Sequence, residues 1–476
     1  MLYLSEIAVS NEIATNKIKR MKVQKVESVN KGNFGEGKIS SLILSQAIPL
    51  TLAQMVQVIY NVVDRMYIGH LPGDETGAAL TGVGVTFPVI TLIAAFTNLF
   101  STGGTPLCSI ARGKGDEDRA KRIEALTLTM QIVMGLALMV VLYIVRKPVL
   151  YMLGASDITY VYAEKYLSIY LLGTVFMMIG TGMNGFINLQ GFPKMGMLTT
   201  IIGAGINIIL DPLFIFVLDM GVTGAAIATV TSQFVSCCFV LRFLFGRKTI
   251  IKISVKDLFK LDFRLLKDMV TLGLSGFIMA ATNCVVQAVC NATLSIHGGD
   301  IYVAVMTIIN SIREMIGLPI NGVTSGSQPV LSYNYGAGKK ERVKKGIKFA
   351  SVVALCYTFL FWVLVLCFPT SFIKIFSSDE SILEVGRMPV VVYFMGFITM
   401  TLQFCGQSTF VALGRSKQAI FFSLFRKIII VVPLTLILPN MANLGAMGVF
   451  LAEPISNCIG GLASYLTMYF TVYRKL

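Results

Sequence analysis

The chain reads as an all-α integral membrane protein, with twelve transmembrane helices in two six-helix lobes related by a pseudo-twofold axis along the membrane normal. Three observations carry this reading. Of 476 residues, 55% are hydrophobic and 14% charged, against roughly 25% charged in a soluble globular chain. Apolar runs recur that are long enough to cross about 30 Å of hydrocarbon at about 1.5 Å per residue. The second half also repeats the first. Residues 105–122, TPLCSIARGKGDEDRAKR, align with residues 328–345, QPVLSYNYGAGKKERVKK. The offset of 223 carries Pro106 onto Pro329, Ser109 onto Ser332, Gly113 onto Gly336, Gly115 onto Gly338 and Arg119 onto Arg342. It also carries Gly191 onto Gly414, and one residue more carries Gly221 and Gly224 onto Gly445 and Gly448. A repeat of this length is too long for a solenoid unit. A duplicated half inside an apolar chain points to a transporter.

Residues 1–38 are polar and basic and lack the apolar core of a signal peptide. They read as a short, mostly disordered cytoplasmic tail, with Met21 as an alternative start. Six spans follow near 40–66, 78–108, 123–145, 160–190, 196–218 and 223–245, forming an N-lobe over 39–245. Residues 246–264 link the lobes and suit a surface helix. The C-lobe, 265–471, holds spans near 265–294, 301–332, 347–368, 384–412, 417–438 and 446–471, before a tail of 472–476. Pro49, Pro88 and Pro319 lie inside spans and are expected to bend them.

The net charge of +15 would suggest nucleic acid in a soluble protein. Here the cations sit in short loops, where they orient the chain and meet anionic lipid. Arg112, Lys114, Lys194, Lys339, Lys340, Arg415 and Lys417 all fall on one side, together with both tails. That side is expected to be cytoplasmic in a multi-pass cell-membrane protein, with no nucleic-acid partner. The 9 cysteines lie in apolar segments without metal-ligand spacing, and His70 and His297 fall in loops. No Walker motif or nucleophile–base pair is present, so neither ATP use nor an enzyme is expected, and no cofactor.

Ionisable residues deep in apolar helices mark pathways. Gln54, Gln57, Asn61 and Asp64 fall on one face of the first helix. Asn207 and Asp211 lie one turn apart on the fifth. Helix rise places both acids in the same half of the membrane, where Asn184 and Thr229 or Thr231 can add neutral oxygens. Two carboxylates with amide and hydroxyl oxygens suit a hard cation such as Na+. The same pair can share a proton, and the residues do not choose between the two. In the C-lobe the stripe becomes Asn283, Gln287 and Asn291, while Leu294 and Leu434 replace the acids. Arg313, Glu314, Arg426, Lys427 and Glu453 are this half's charges. Equal depth suggests that Glu314 pairs with Arg426, which leaves Glu453 to meet a cationic substrate.

IPLTLAQ and YNVVDRMYIG in the first helix, GINIILDPLFIF in the fifth, GAAIATVTSQ in the sixth and the two glycine-basic loops resemble the multidrug and toxic compound extrusion (MATE) family. The resemblance covers the chain from residue 40 onward. It implies two lobes around a central cavity, and cation-coupled antiport of amphipathic, often cationic, drugs by a monomer. Carried over, the cation site of the DinF-like branch is Asp64, Asn184, Asn207, Asp211 and Thr229. The C-lobe charges look closest to the MepA-like group. A lipid-linked sugar flippase and a non-transporting receptor or scaffold are the alternatives. The flippase would need a basic cavity for a pyrophosphate, and the N-lobe offers acids.

Overall fold

The computed structural model describes residues 32–69, 76–377, 379–441 and 444–476. His70 and most of the N-terminal tail, Met21 included, lie outside these. No strand occurs among the described residues. The N-lobe consists of α1 (Ile39–Ile68), α2 (Thr76–Gly113), α3 (Glu117–Met152), α4 (Asp157–Leu172), α5 (Thr174–Gly182), α6 (Asn184–Leu189), α7 (Pro193–Pro212) and α8 (Gly221–Leu244). The linker carries α9 (Val255–Leu258), the expected surface helix. The C-lobe follows with α10 (Phe263–Gly336), α11 (Lys340–Cys367), α12 (Pro369–Lys374), α13 (Glu380–Phe394), α14 (Phe397–Ala412), α15 (Ser416–Leu424), α16 (Val432–Ile437), α17 (Ala446–Ser456) and α18 (Leu462–Met468).

Among the described residues, nine helices are long and apolar enough to cross a membrane, and two bent pairs do so together. The longest, α10, is two helices meeting at Gly299, whose φ of 71° no β-branched residue would adopt readily. Split there, the chain has all twelve expected spans. The two bent spans turn by 57° between Leu172 and Thr174 and by 45° between Phe394 and Phe397. Gly173 and Gly396 sit at these breaks and are equivalents in the repeat, 223 residues apart.

The repeat also shows in the turns. Gly115 and Gly338 have φ of 77° and 69°, Gly191 and Gly414 of 85° and 70°, and Gly221 and Gly445 of 54° and 50°. Each pair ends or begins a helix in the left-handed region, where glycine carries no Cβ penalty. Each lobe packs its own apolar core. Met178, Tyr166, Ile93 and Ala225 are central in the N-lobe, and Phe394, Phe397, Ile312 and Phe450 in the C-lobe.

The lobes meet at one end of the bundle. There a Cβ on Gly103 would lie 1.9 Å from the Met269 carbonyl oxygen, and one on Gly273 1.6 Å from that of Leu99. Backbone therefore touches backbone, as small residues permit between membrane helices. Ser109 Oγ donates across the same seam to the Pro329 carbonyl at 2.8 Å.

Residues 32–37 are not a loose tail. Arg342 donates to the carbonyls of Phe34 at 3.1 Å, Glu36 at 3.0 Å and Gly37 at 2.9 Å. Lys339 reaches that of Gly35 at 2.9 Å. From the other lobe, Arg112 donates to the Gly32 carbonyl at 3.2 Å. Phe34 is buried edge-on against Tyr333. This strap thus spans the junction of the lobes.

Candidate functional site

The N-lobe acids meet. Asp64, near the end of α1, and Asp211, on the last turn of α7, are both buried, and their carboxylates lie side by side. Asn207 Nδ2 donates to Asp211 Oδ1 at 3.1 Å and to Thr229 Oγ1, on α8, at 3.4 Å. Pro212 ends α7 immediately after Asp211, and a π-helical turn, Leu213–Val217, follows. Such turns recur at functional positions in helices. Asn207 Oδ1 and Asp211 Oδ2 are buried and accept no hydrogen bond from any described residue. Buried acceptors normally find a donor. Two carboxylates in contact away from water likewise call for a proton or a cation between them. The donor set is all oxygen, which suits Na+ or H+.

Three tyrosines that the sequence reading missed enclose this group. Tyr60 and Tyr166 lie beside Asp64 and Thr229, and Tyr170 lies beside Asp64 and Gln233. Tyr60 lies one turn before Asp64 on α1, and that i, i+4 spacing was the available signal.

Asn184 does not join them. Its Nδ2 donates to the Gly196 carbonyl and to Thr199 Oγ1, both at 2.9 Å. Thr199 precedes Asp211 by 12 residues on the same helix, about 18 Å along the axis. Asn184 instead fastens the turn between α6 and α7. The C-lobe positions equivalent to the acids hold leucine, and Leu294 is fully buried in an apolar core.

In the C-lobe a cavity of about 360 Å³ opens among α10, α14 and α15. Asn283, Gln287, Glu314 and Arg426 line it, joined by Arg313 and Lys427. Gln54, Gln57 and Asn291 do not line it, and the side chain of Asn61 lies outside the described residues. The expected Glu314–Arg426 pair is not formed. Arg426 Nη1 donates to Glu453 Oε2 at 3.0 Å and also to Asn457. Lys427 Nζ donates to Glu453 Oε1 at 2.7 Å, and Arg313 lies 3.8 Å from the same oxygen. Glu453 is therefore neither alone nor open to a cationic substrate. The reason is local geometry. Phe425–Val431 and Asn457–Gly461 are π-helical, which turns Arg426 toward α17. Gly460 leaves the space, since a Cβ there would lie 2.8 Å from Arg426 Cγ.

A fourth buried acid, Glu124 on α3, also escaped the sequence reading, hidden beside the basic loop. It accepts from Gln190 Nε2 at 3.3 Å. Gln190 Oε1 in turn accepts from Thr249 Oγ1 at 2.6 Å and from the Ile250 amide at 2.7 Å. This cluster anchors the linker to the N-lobe.

A sequence model of the MatE family matches the chain twice, over residues 49–213 and 277–437. The chain belongs to the MATE family. The double match reproduces the duplication, one copy in each lobe. A multidrug export protein, MepA, of Staphylococcus haemolyticus (strain JCSC1435) is 25% identical over 416 residues, 86% of this chain and 89% of that protein. MepA of Staphylococcus aureus (strain MRSA252) is 24% identical over 437 residues, covering 92% and 95%. Among solved structures, a MATE protein in a bent conformation superposes with a TM-score of 0.88 at 22% identity, covering 94% of this chain and 98% of that one. An outward-facing multidrug-resistance MATE transporter gives 0.86 at 23% identity, covering 94% and 99%. These likenesses fix the fold as the two-lobe MATE arrangement. The chain is thus a multi-pass membrane protein of a transporter family.

Proposed function

We propose that this MATE protein is a secondary antiporter, exporting amphipathic organic compounds in exchange for Na+ or H+ by alternating access. The contact of Asp64 with Asp211, completed by Asn207 and Thr229, carries the reading. A buried pair of acids in one lobe supplies a differential site. Its occupancy changes the charge that the lobe must hold in each conformation, and so biases one state over the other. The homologous MepA proteins are named for multidrug export, which agrees with this chemistry. No cofactor beyond the coupling ion is needed, and a monomer suffices.

The protein sits in the cell membrane with both termini cytoplasmic, because the basic loops share that side. The end at which the lobes touch then faces the cytoplasm. The test is efflux of a set of amphipathic dyes from proteoliposomes under a sodium gradient or a pH gradient, each imposed alone. One of the two gradients is expected to drive efflux. Equal efflux with neither gradient would overturn antiport.

A further inference from the structure

We infer that the C-lobe cavity receives an anionic group, a phosphate, sulfonate or carboxylate borne on an amphipathic molecule. The inference deepens the transport reading above by naming the class of compound carried.

The charges decide it. Arg313, Arg426 and Lys427 face the cavity together with Glu314. Glu453 lies behind them and faces all three cations. Three positive groups therefore meet two negative ones, and the buried carboxylate is already engaged with cations. A cationic ligand would face this excess, whereas an anion would complete it. Donors remain to be used. Arg426 is 7% exposed, and its buried Nε has no partner among the described residues. Arg313 meets Tyr393 Oη at 3.2 Å through one Nη and keeps about a third of its side chain exposed. A guanidinium carries five N–H donors and matches phosphate or carboxylate with two parallel bonds.

The rest of the wall suits an amphipath. Met279, Leu318, Met400 and Phe404 offer apolar and thioether surface, which adapts to varied bodies. The volume of about 360 Å³ lies in the range of small-molecule sites. Such an anion could come from a soluble amphipath or from a lipid headgroup entering sideways, and both present the same chemistry.

The experiment compares octyl phosphate with octyltrimethylammonium. Their binding to the full-length protein in neutral-lipid nanodiscs is measured by calorimetry without any ion gradient. Octyl phosphate is expected to bind more tightly, and to weaken as salt is raised. Arg313→Gln leaves Arg426 and Lys427 to neutralise Glu453, so it is expected to fold. It should lose about tenfold or more in octyl phosphate affinity without weakening the ammonium compound, and Arg313→Lys should recover part of the loss. Inclusion of phosphatidic acid in the nanodisc separates the sources. Competition with octyl phosphate points to a headgroup, and its absence to a soluble amphipath.

Tighter binding of the ammonium compound overturns the inference. So does unchanged octyl phosphate affinity in a folded Arg313→Gln protein. Because no gradient is used, failure here leaves antiport standing, and failure of gradient-driven efflux leaves this site standing.

Discussion

Gly113 and Gly336 face each other reciprocally across the pseudo-twofold axis. A Cβ on Gly113 would lie 2.0 Å from the Tyr333 carbonyl oxygen, and one on Gly336 2.1 Å from that of Ile110. Ile110 and Tyr333 are themselves repeat equivalents, so one contact is made twice. Gly113→Ala or Gly336→Ala must therefore push the lobes apart at the closed end. Each should destabilise the protein by about 1–3 kcal/mol, the usual range for overpacking, read as a lower Tm in detergent. Gly205→Ala is the contrast. Nothing lies within 4 Å of a Cβ there, and alanine gains up to about 1 kcal/mol in helix propensity, so its Tm should hold or rise.

Glu453 balances Arg426 and Lys427 in a pocket where all three are under 9% exposed. Glu453→Gln leaves two buried cations without their counter-charge. A loss of about 3–5 kcal/mol is expected, seen in thermal melts or as poor expression. Lys427→Met in the same chain should recover part of it, because the couple is not additive. Glu314→Gln should change stability little, since Glu314 is exposed and outside this cluster.

Arg342 ties down the strap at residues 32–37 with three backbone contacts. Arg342→Ala should let the strap open locally. Limited chymotrypsin cleavage after Phe34 should then quicken, on the order of tenfold, which corresponds to about 1.4 kcal/mol in the opening equilibrium. Unchanged cleavage would show that Phe34 packing alone holds the segment.

The twelve spans, the duplication and the acid pair were legible in the sequence because each is periodic or local. Hydropathy marks span length, and repeat-equivalent glycines mark turns. The breaks at Gly173 and Gly396 were not read, since an apolar run looks the same bent or straight. Helix rise gives depth but not rotation. It put Glu314 level with Arg426, while the π-helical turns rotated Arg426 to Glu453. Asn184 lies at the opposite end of its span from Asp211, and its side chain is taken by the turn that begins α7. Asp64, Asn207, Asp211 and Thr229 were found because their spacings and the short α7–α8 connection leave them little choice but to converge.

The most direct test of the account is efflux by Asp64→Asn and Asp211→Asn proteoliposomes under the gradient that drives the wild type. Asparagine keeps the shape and removes the charge. Both variants should fold and bind substrate in nanodiscs at near wild-type affinity, because the C-lobe cavity is separate from the acids. Leu294→Met and Leu434→Met, at the equivalent C-lobe positions, should pump nearly normally. Gradient-driven efflux by both Asn variants should fall to the level of protein-free vesicles. Wild-type efflux by a correctly inserted Asp64→Asn protein would contradict the account.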